Sequence, residues 1–92
     1  MSNYSRGRAA EYRAKVALER AGYCVVRAAG SKGPADLVAF DNVSIRLISV
    51  KVNCYASAGE REQLQLLPAP QNASREIWRY ASGCSWPVIE RL

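Results

Sequence analysis

The stretch PADLVAFDNVSIRLISVKV, residues 34–52, decides the fold. Two runs rich in apolar and β-branched residues flank Asp41-Asn42, and both of these residue types tolerate the positive φ of a tight turn. The pattern therefore predicts a β-hairpin with a two-residue loop, in which Phe40 faces Val43.

This register places polar side chains together at one end of the hairpin. With a two-residue loop, Asp36 lies opposite Leu47. Because side chains alternate between the two faces of a strand, Asp36, Ser49 and Lys51 emerge on the same face near the same end. Asp36 and Ser49 become diagonal neighbours, roughly 7 to 8 Å apart at the backbone, a gap that one hydrated divalent cation can bridge.

A basic amphipathic helix is predicted before the hairpin, from about Ser5 to Ala21. Ser5 is the expected N-cap, and Gly22 is a natural C-terminal stop. Glu11 lies at the edge of the apolar stripe, from which it can point over the sheet toward the polar end of the hairpin. The stripe itself comprises Ala10, Ala14, Ala17, Leu18 and Ala21.

Turn and capping signals divide the rest of the chain. A first strand is predicted at Tyr23–Ala28, followed by a Gly/Ser loop at 29–34. Ser57 and Glu60 have the spacing of a capping box, which opens a second helix ending near Leu67. The pattern then predicts two strands, at Glu76–Ala81 and Trp86–Arg91. We expect an α/β fold with a helix, a three-stranded antiparallel meander, a second helix and a C-terminal β-hairpin.

Composition indicates a single domain, residues 1–92, with a small core. The formal net charge of +5 and the pI near 9.5 fit a polyanionic partner such as nucleic acid. The chain has three widely spaced cysteines, which argues against a disulfide framework and favours the reducing cytoplasm. It has no histidine, which argues against a structural zinc site. No apolar run approaches membrane-spanning length, so no membrane partner is expected.

The order of these features resembles the PD-(D/E)xK nuclease superfamily. The resemblance rests on Glu11 in the first helix, Pro34-Ala35-Asp36 opening a strand, and Lys51 on the next strand. It covers residues 5–66 and is greatest for small Holliday-junction-resolvase-like and RecB-like nucleases of archaea, bacteria and phages, so a phage-encoded protein is compatible with it. The family pattern has an acid or a glutamine two residues before the lysine, where this chain has Ser49.

The resemblance implies a restriction-endonuclease-like core and an endonuclease that uses Mg²⁺ or Mn²⁺ to cut DNA, with branched DNA as the expected substrate. It assigns the metal to Glu11, Asp36 and the backbone carbonyl of Val50, and catalysis also to Ser49 and Lys51. A homodimer is expected because paired cuts across a four-way junction need two active sites. The residues predicted to contact nucleic acid are Arg6, Arg8, Ser31 and Lys32.

Alternatives remain open for several of these residues. Glu11 can instead pair with Lys15 on the same helix, and Lys51 can guard a strand end. With Ser49 in place of an acid, the protein can be a weaker nuclease, can use Glu60 or Glu62 as the acid, or can bind nucleic acid without cutting. A structural or assembly subunit is a third functional class.

Aromatic residues near the C-terminus also have two interpretations. Trp78, Tyr80 and Trp86 are suited to stacking on unpaired bases, but residues of this type more often complete a small core. We expect all three to belong to the core.

Overall fold

The computed structural model describes residues 3–28, 34–81 and 84–92, with side chains from residue 7 onward. Within these ranges, two helices and five strands follow one another in the predicted order. They are α1 (Asn3–Arg20), β1 (Cys24–Arg27), β2 (Leu37–Phe40), β3 (Ile45–Val52), α2 (Ala58–Leu66), β4 (Ala73–Tyr80) and β5 (Val88–Arg91).

The strands form one sheet whose spatial order is the same as their chain order, β1-β2-β3-β4-β5. The first three strands make an antiparallel meander, and β5 pairs antiparallel with β4. Only β3 and β4 are parallel, since α2 carries the chain back between them. The expected meander, second helix and C-terminal hairpin are therefore confirmed.

The central hairpin has a four-residue loop, so the predicted register is wrong by two residues. Phe40 pairs with Ile45 rather than with Val43. The Asp41 carboxylate explains the longer loop, because it accepts hydrogen bonds from the backbone N–H groups of Val43 and Ser44, both at 2.8 Å. A shift of two residues preserves the face of every paired side chain, so Ser49 and Lys51 still share one face. The predicted alternation does not reach Asp36, because the pairing of β2 with β3 stops at Leu37.

Helix α1 begins at Asn3, so Ser5 lies inside the helix and is not its N-cap. Its C-terminus is as predicted: Gly22 has a φ of +98° and donates to the carbonyl of Glu19, while Tyr23 donates to that of Leu18. These bonds form a Schellman motif, for which glycine is suited because it lacks a Cβ.

The two helices cover opposite faces of the sheet. Within the predicted stripe of α1, Ala10, Ala14 and Leu18 are buried against the sheet, whereas Ala17 and Ala21 are exposed. The core beneath α1 includes Leu37, Ala39, Ile48, Trp78 and Tyr80. The core on the other face includes Leu47, Leu64 and Ile77. Each face of the sheet thus has its own apolar cluster.

Helix α2 starts with the predicted capping box. The Ser57 hydroxyl accepts from the Glu60 backbone N–H at 3.1 Å, and the Glu60 carboxylate accepts from the Ser57 N–H at 3.0 Å. This box positions Glu60 as well as satisfying two backbone groups.

We expect Ser57→Ala to lower the free energy of unfolding by about 1 kcal/mol, because the substitution removes the N-cap acceptor. Urea unfolding followed by circular dichroism measures the change. Ser57→Thr retains a hydroxyl and is the matched control. Equal stability of the Ala and wild-type proteins would mean that the box contributes nothing.

Strand β4 begins at Ala73, three residues before the predicted start at Glu76. It pairs with all eight residues of β3. The polar residues at its start are accommodated because Glu76, although fully buried, accepts two hydrogen bonds from Arg46 of β3 at 2.6 and 2.8 Å. An ion pair buried between neighbouring strands is therefore part of the sheet.

The C-terminal aromatic residues divide between core and surface. Trp78 and Tyr80 are buried, as expected, but Trp86 is 82% exposed, so the prediction was wrong for Trp86. Strand β5 starts at Val88, two residues after the predicted start, which leaves Trp86 in the segment before it. Because β5 is an edge strand, the position expected from Pro87 is confirmed.

The three cysteines, Cys24, Cys54 and Cys84, are exposed thiols with no disulfide between them. Neither described helix has both the length and the apolar character required to cross a bilayer.

Candidate active site

The polar end of the central hairpin is organised around Asp36. Its backbone N–H donates to the Ile48 carbonyl at 2.8 Å, one residue before β2 begins. Leu37 is also paired with Ile48, so two consecutive residues face Ile48 and the register breaks at Asp36 as a β-bulge, rather than giving the predicted diagonal arrangement with Ser49.

The Asp36 carboxylate is partly buried and points toward β3. It accepts a hydrogen bond from the Val50 N–H at 2.7 Å. The pKa of Asp36 is raised above its usual value, chiefly because the carboxylate is buried. The nearby carboxylates of Glu11 and Glu60 also raise this pKa. The hydrogen bond from the Val50 N–H and the Lys51 ammonium act in the opposite direction. Two other acids and one amine therefore act electrostatically on Asp36.

Glu11 projects from α1 toward the same place. Its carboxylate accepts from the Arg27 Nε at 3.1 Å. The alternative that Glu11 pairs with Lys15 is wrong, since Lys15 instead pairs with Glu19 at 3.0 Å. Arg27 was not singled out in the sequence because the contact joins residues 16 positions apart on different elements.

Lys51 and Glu60 form an ion pair between the end of β3 and the first turn of α2. Hydrogen bonds from Lys51 and from the Ser57 backbone lower the pKa of Glu60 to about 2, so this carboxylate is charged at neutral pH. Of the two acids considered as replacements at position 49, Glu60 lies beside the catalytic candidates. Glu62 is exposed and is not part of the pocket described below.

These side chains surround one pocket of about 220 Å³. It gathers all five catalytic or metal-binding candidates: Glu11 from α1, Asp36 from just before β2, and Ser49, Val50 and Lys51 from β3. Its lining is Glu11, Pro34, Asp36, Ser49, Val50, Lys51, Glu60 and Gln63.

The donors in this pocket suit a hard divalent cation. They are carboxylate, hydroxyl and carbonyl oxygens, with no imidazole or thiolate, which is the chemistry that Mg²⁺ and Mn²⁺ prefer. In the described ranges, no three His, Cys, Asp or Glu side chains are already close enough together to hold an ion. Arg27 and Lys51 instead hold Glu11 and Glu60. One or two carboxylates can suffice for Mg²⁺, which retains several waters.

The residues predicted to contact nucleic acid are less completely described. Arg8 lies exposed on α1. Arg6 belongs to the same helix, but its side chain lies outside the described residues, as do Ser31 and Lys32.

The sequence and the fold were compared with known families, proteins and solved structures. No family model and no curated protein matches the sequence. Among solved structures, the chain is similar to Hjc, a Holliday junction resolvase of the archaeal hyperthermophile Archaeoglobus fulgidus, with a TM-score of 0.75 and 28% identity over 88% of this chain and 69% of Hjc. Together with the order of helices and strands, this likeness confirms the expected fold class: the chain has an Hjc-like nuclease fold.

Proposed function

We propose that this protein is a metal-dependent endonuclease that hydrolyses phosphodiester bonds of branched DNA. The observation that supports the proposal most is the single pocket that collects Glu11, Asp36 and Lys51 from α1 and the central hairpin. The likeness to Hjc, which is a Holliday junction resolvase, supports branched DNA as the substrate.

Glu11, Asp36 and the backbone carbonyl of Val50 would hold one Mg²⁺ or Mn²⁺ ion. When bound, such an ion neutralises the phosphodiester and lowers the pKa of an attacking water. Asp36 supplies a fixed first carboxylate because the Val50 N–H orients it. Glu11 would serve as the second carboxylate, and its present contact with Arg27 is only partly buried.

Lys51 stabilises the charge that develops on the phosphate and orients the attacking water. The ion pair with Glu60 fixes its ammonium beside the pocket that both residues line. Ser49, which replaces the usual acid, supplies a hydroxyl that can hydrogen-bond water in the pocket but contributes no negative charge. We propose that Glu60 provides the charge that Ser49 lacks.

Glu60→Gln tests this compensation. Because glutamine can still accept the capping-box hydrogen bond, the helix should remain intact. We expect the Mn²⁺ concentration for half-maximal cleavage to rise about tenfold or more, as for other groups that support a metal ligand. Glu62→Gln, on the exposed side of the same helix, is the matched control. An unchanged metal requirement in Glu60→Gln would rule out compensation by Glu60.

The net charge of +5 supports binding to the DNA backbone. We assign backbone contacts to Arg6, Arg8, Ser31 and Lys32. We also propose a homodimer, since two coordinated cuts across a four-way junction require two active sites.

The substrate is tested with labelled four-way junction, flap, single-stranded and linear duplex DNA, each with Mn²⁺ or with chelator. The proposal expects cleavage only with the metal and preferentially of the junction. Cleavage of all four substrates at equal rates would contradict the branched-DNA specificity, and cleavage in chelator would contradict the metal dependence.

Two observations favour a second function: Ser49 lacks a charge, and cations of the protein already engage Glu11 and Glu60. The alternative is a nuclease-fold protein that binds DNA without cutting it. Salt-sensitive binding in the same experiment, with no product at any metal concentration, would select this alternative.

A further inference from the structure

A second groove, of about 420 Å³, lies between α1 and the segment before β5. Tyr12, Val16 and Trp86 provide much of its apolar lining, and Tyr80 contributes from β4. This groove shares no residue with the candidate active site.

The groove exposes aromatic surface to solvent. Trp86 is 82% exposed and Tyr12 is 66% exposed, whereas the other tryptophan, Trp78, is only 4% exposed. An indole left in water at the side of a concave surface forgoes the stabilisation that burial would provide. A ligand with a flat apolar face would bury it.

The charge of the groove indicates which ligand this is. Arg13 and Arg20 line it and are exposed, and no aspartate or glutamate belongs to its described lining. Guanidinium groups beside an aromatic platform match a nucleic acid strand, whose bases stack and whose phosphates pair with arginine. A second copy of the chain fits less well, because a symmetric contact would bring the same two arginines and two net charges of +5 together.

The groove lies at the same end of the sheet as the candidate active site. Strands β3 and β4 are parallel, with Lys51 beside Arg79 and Val52 beside Tyr80. The tyrosine that lines the groove and the lysine of the active site are therefore at the same end, where DNA held for cleavage would lie.

We propose that this groove binds an unpaired stretch of DNA strand, with Trp86 stacked on a base and Arg13 and Arg20 beside the flanking phosphates. The inference rests on the proposed function for its partner, DNA. It adds a site that distinguishes unpaired from fully paired strands.

Trp86→Leu and Trp86→Phe test the proposal, with oligothymidylate and a blunt linear duplex as probes. We expect Trp86→Leu to weaken binding to oligothymidylate about tenfold, and Trp86→Phe to weaken it less, because phenylalanine still stacks. Affinity for the duplex should be unchanged in both variants. Val43→Ala, which truncates an exposed apolar side chain of the hairpin loop, is the control.

Tryptophan fluorescence provides a second measurement, because the exposed indole of Trp86 should be quenched by a stacked base while the buried Trp78 is not. Oligothymidylate binding that is equal in the wild-type and Trp86→Leu proteins would overturn the proposal, as would a loss of dimer in Trp86→Leu without loss of DNA affinity. Cleavage of the junction is scored separately with Asp36→Asn, so a failure of the groove and a failure of the nuclease site are distinguishable.

Discussion

Asp36→Asn is expected to abolish metal-dependent cleavage, with a loss of about 100-fold or more, while the affinity for DNA changes little. The substitution removes one charge and replaces one of the two carboxylate oxygens with an NH2 group, which cannot ligate a cation. Asparagine has nearly the same shape, and its carbonyl oxygen can still accept the hydrogen bond from the Val50 N–H. The measurement is the rate of cleavage of a labelled four-way junction at saturating enzyme, with binding measured in chelator.

Asp41→Asn is the matched control for this experiment. It makes the same chemical change in the same hairpin, but in the loop, where the carboxylate accepts from Val43 and Ser44. Asparagine retains an acceptor for that turn. A contaminating nuclease would be equally active in both preparations. Cleavage by Asp36→Asn at the wild-type rate would therefore exclude Asp36 from the chemistry.

The second large effect is expected on stability, from Glu76→Gln. Glu76 is fully buried and accepts hydrogen bonds from Arg46, from the Ser74 hydroxyl at 2.5 Å and from the Trp78 indole at 3.0 Å. Loss of its charge leaves the Arg46 guanidinium, whose side chain is only 16% exposed, without its counter-ion. We expect the free energy of unfolding to fall by about 3 to 5 kcal/mol, measured by urea unfolding.

Two further measurements separate the ion pair from general disruption. Arg91 lies 3.9 Å from Glu76 and its side chain is 71% exposed, so Arg91→Ala should have little effect. The double variant Arg46→Met with Glu76→Met removes both charges and should recover part of the stability. If Glu76→Gln were as stable as the wild type, the buried pair would not support the sheet.

The pH dependence follows from the same pair. Burial favours the neutral form of Glu76, but hydrogen bonds from Arg46, Ser74 and Trp78 outweigh burial and lower its pKa to about 2. A glutamate in the unfolded chain has a pKa of about 4.3, so the unfolded state takes up the proton first and stability falls as the pH falls from about 4.5 toward 2. This fall should be smaller in Glu76→Gln, which lacks the titrating group.

Two helix ends were predicted well because each is set by a few consecutive residues. The capping box at Ser57 and the stop at Gly22 each depend on a few consecutive residues, and both are confirmed. The shared face of Ser49 and Lys51 was also predictable, since the two-residue register error preserves alternation. The bulge at Asp36 was not predictable from alternation. The register itself was not, because it depends on hydrogen bonds to the Asp41 side chain, which the residue types alone do not fix.

Contacts between distant elements were harder to predict. The pair of Arg27 with Glu11, and the selection of Glu60 over Glu62, depend on how α1 and α2 sit on the sheet. Trp86 was assigned to the core from its residue type, but its exposure depends on where β5 begins. These features could be identified only from the three-dimensional arrangement of the helices and strands.

The central claim, that Asp36 anchors one divalent cation in this pocket, is tested most directly by the anomalous scattering of Mn²⁺ in crystals of the wild-type and Asp36→Asn proteins. We predict one ion in the wild type, within about 2.0 to 2.6 Å of an Asp36 carboxylate oxygen, and none at this position in the variant. A manganese ion bound elsewhere, with the pocket empty at a concentration that supports cleavage, would contradict the claim.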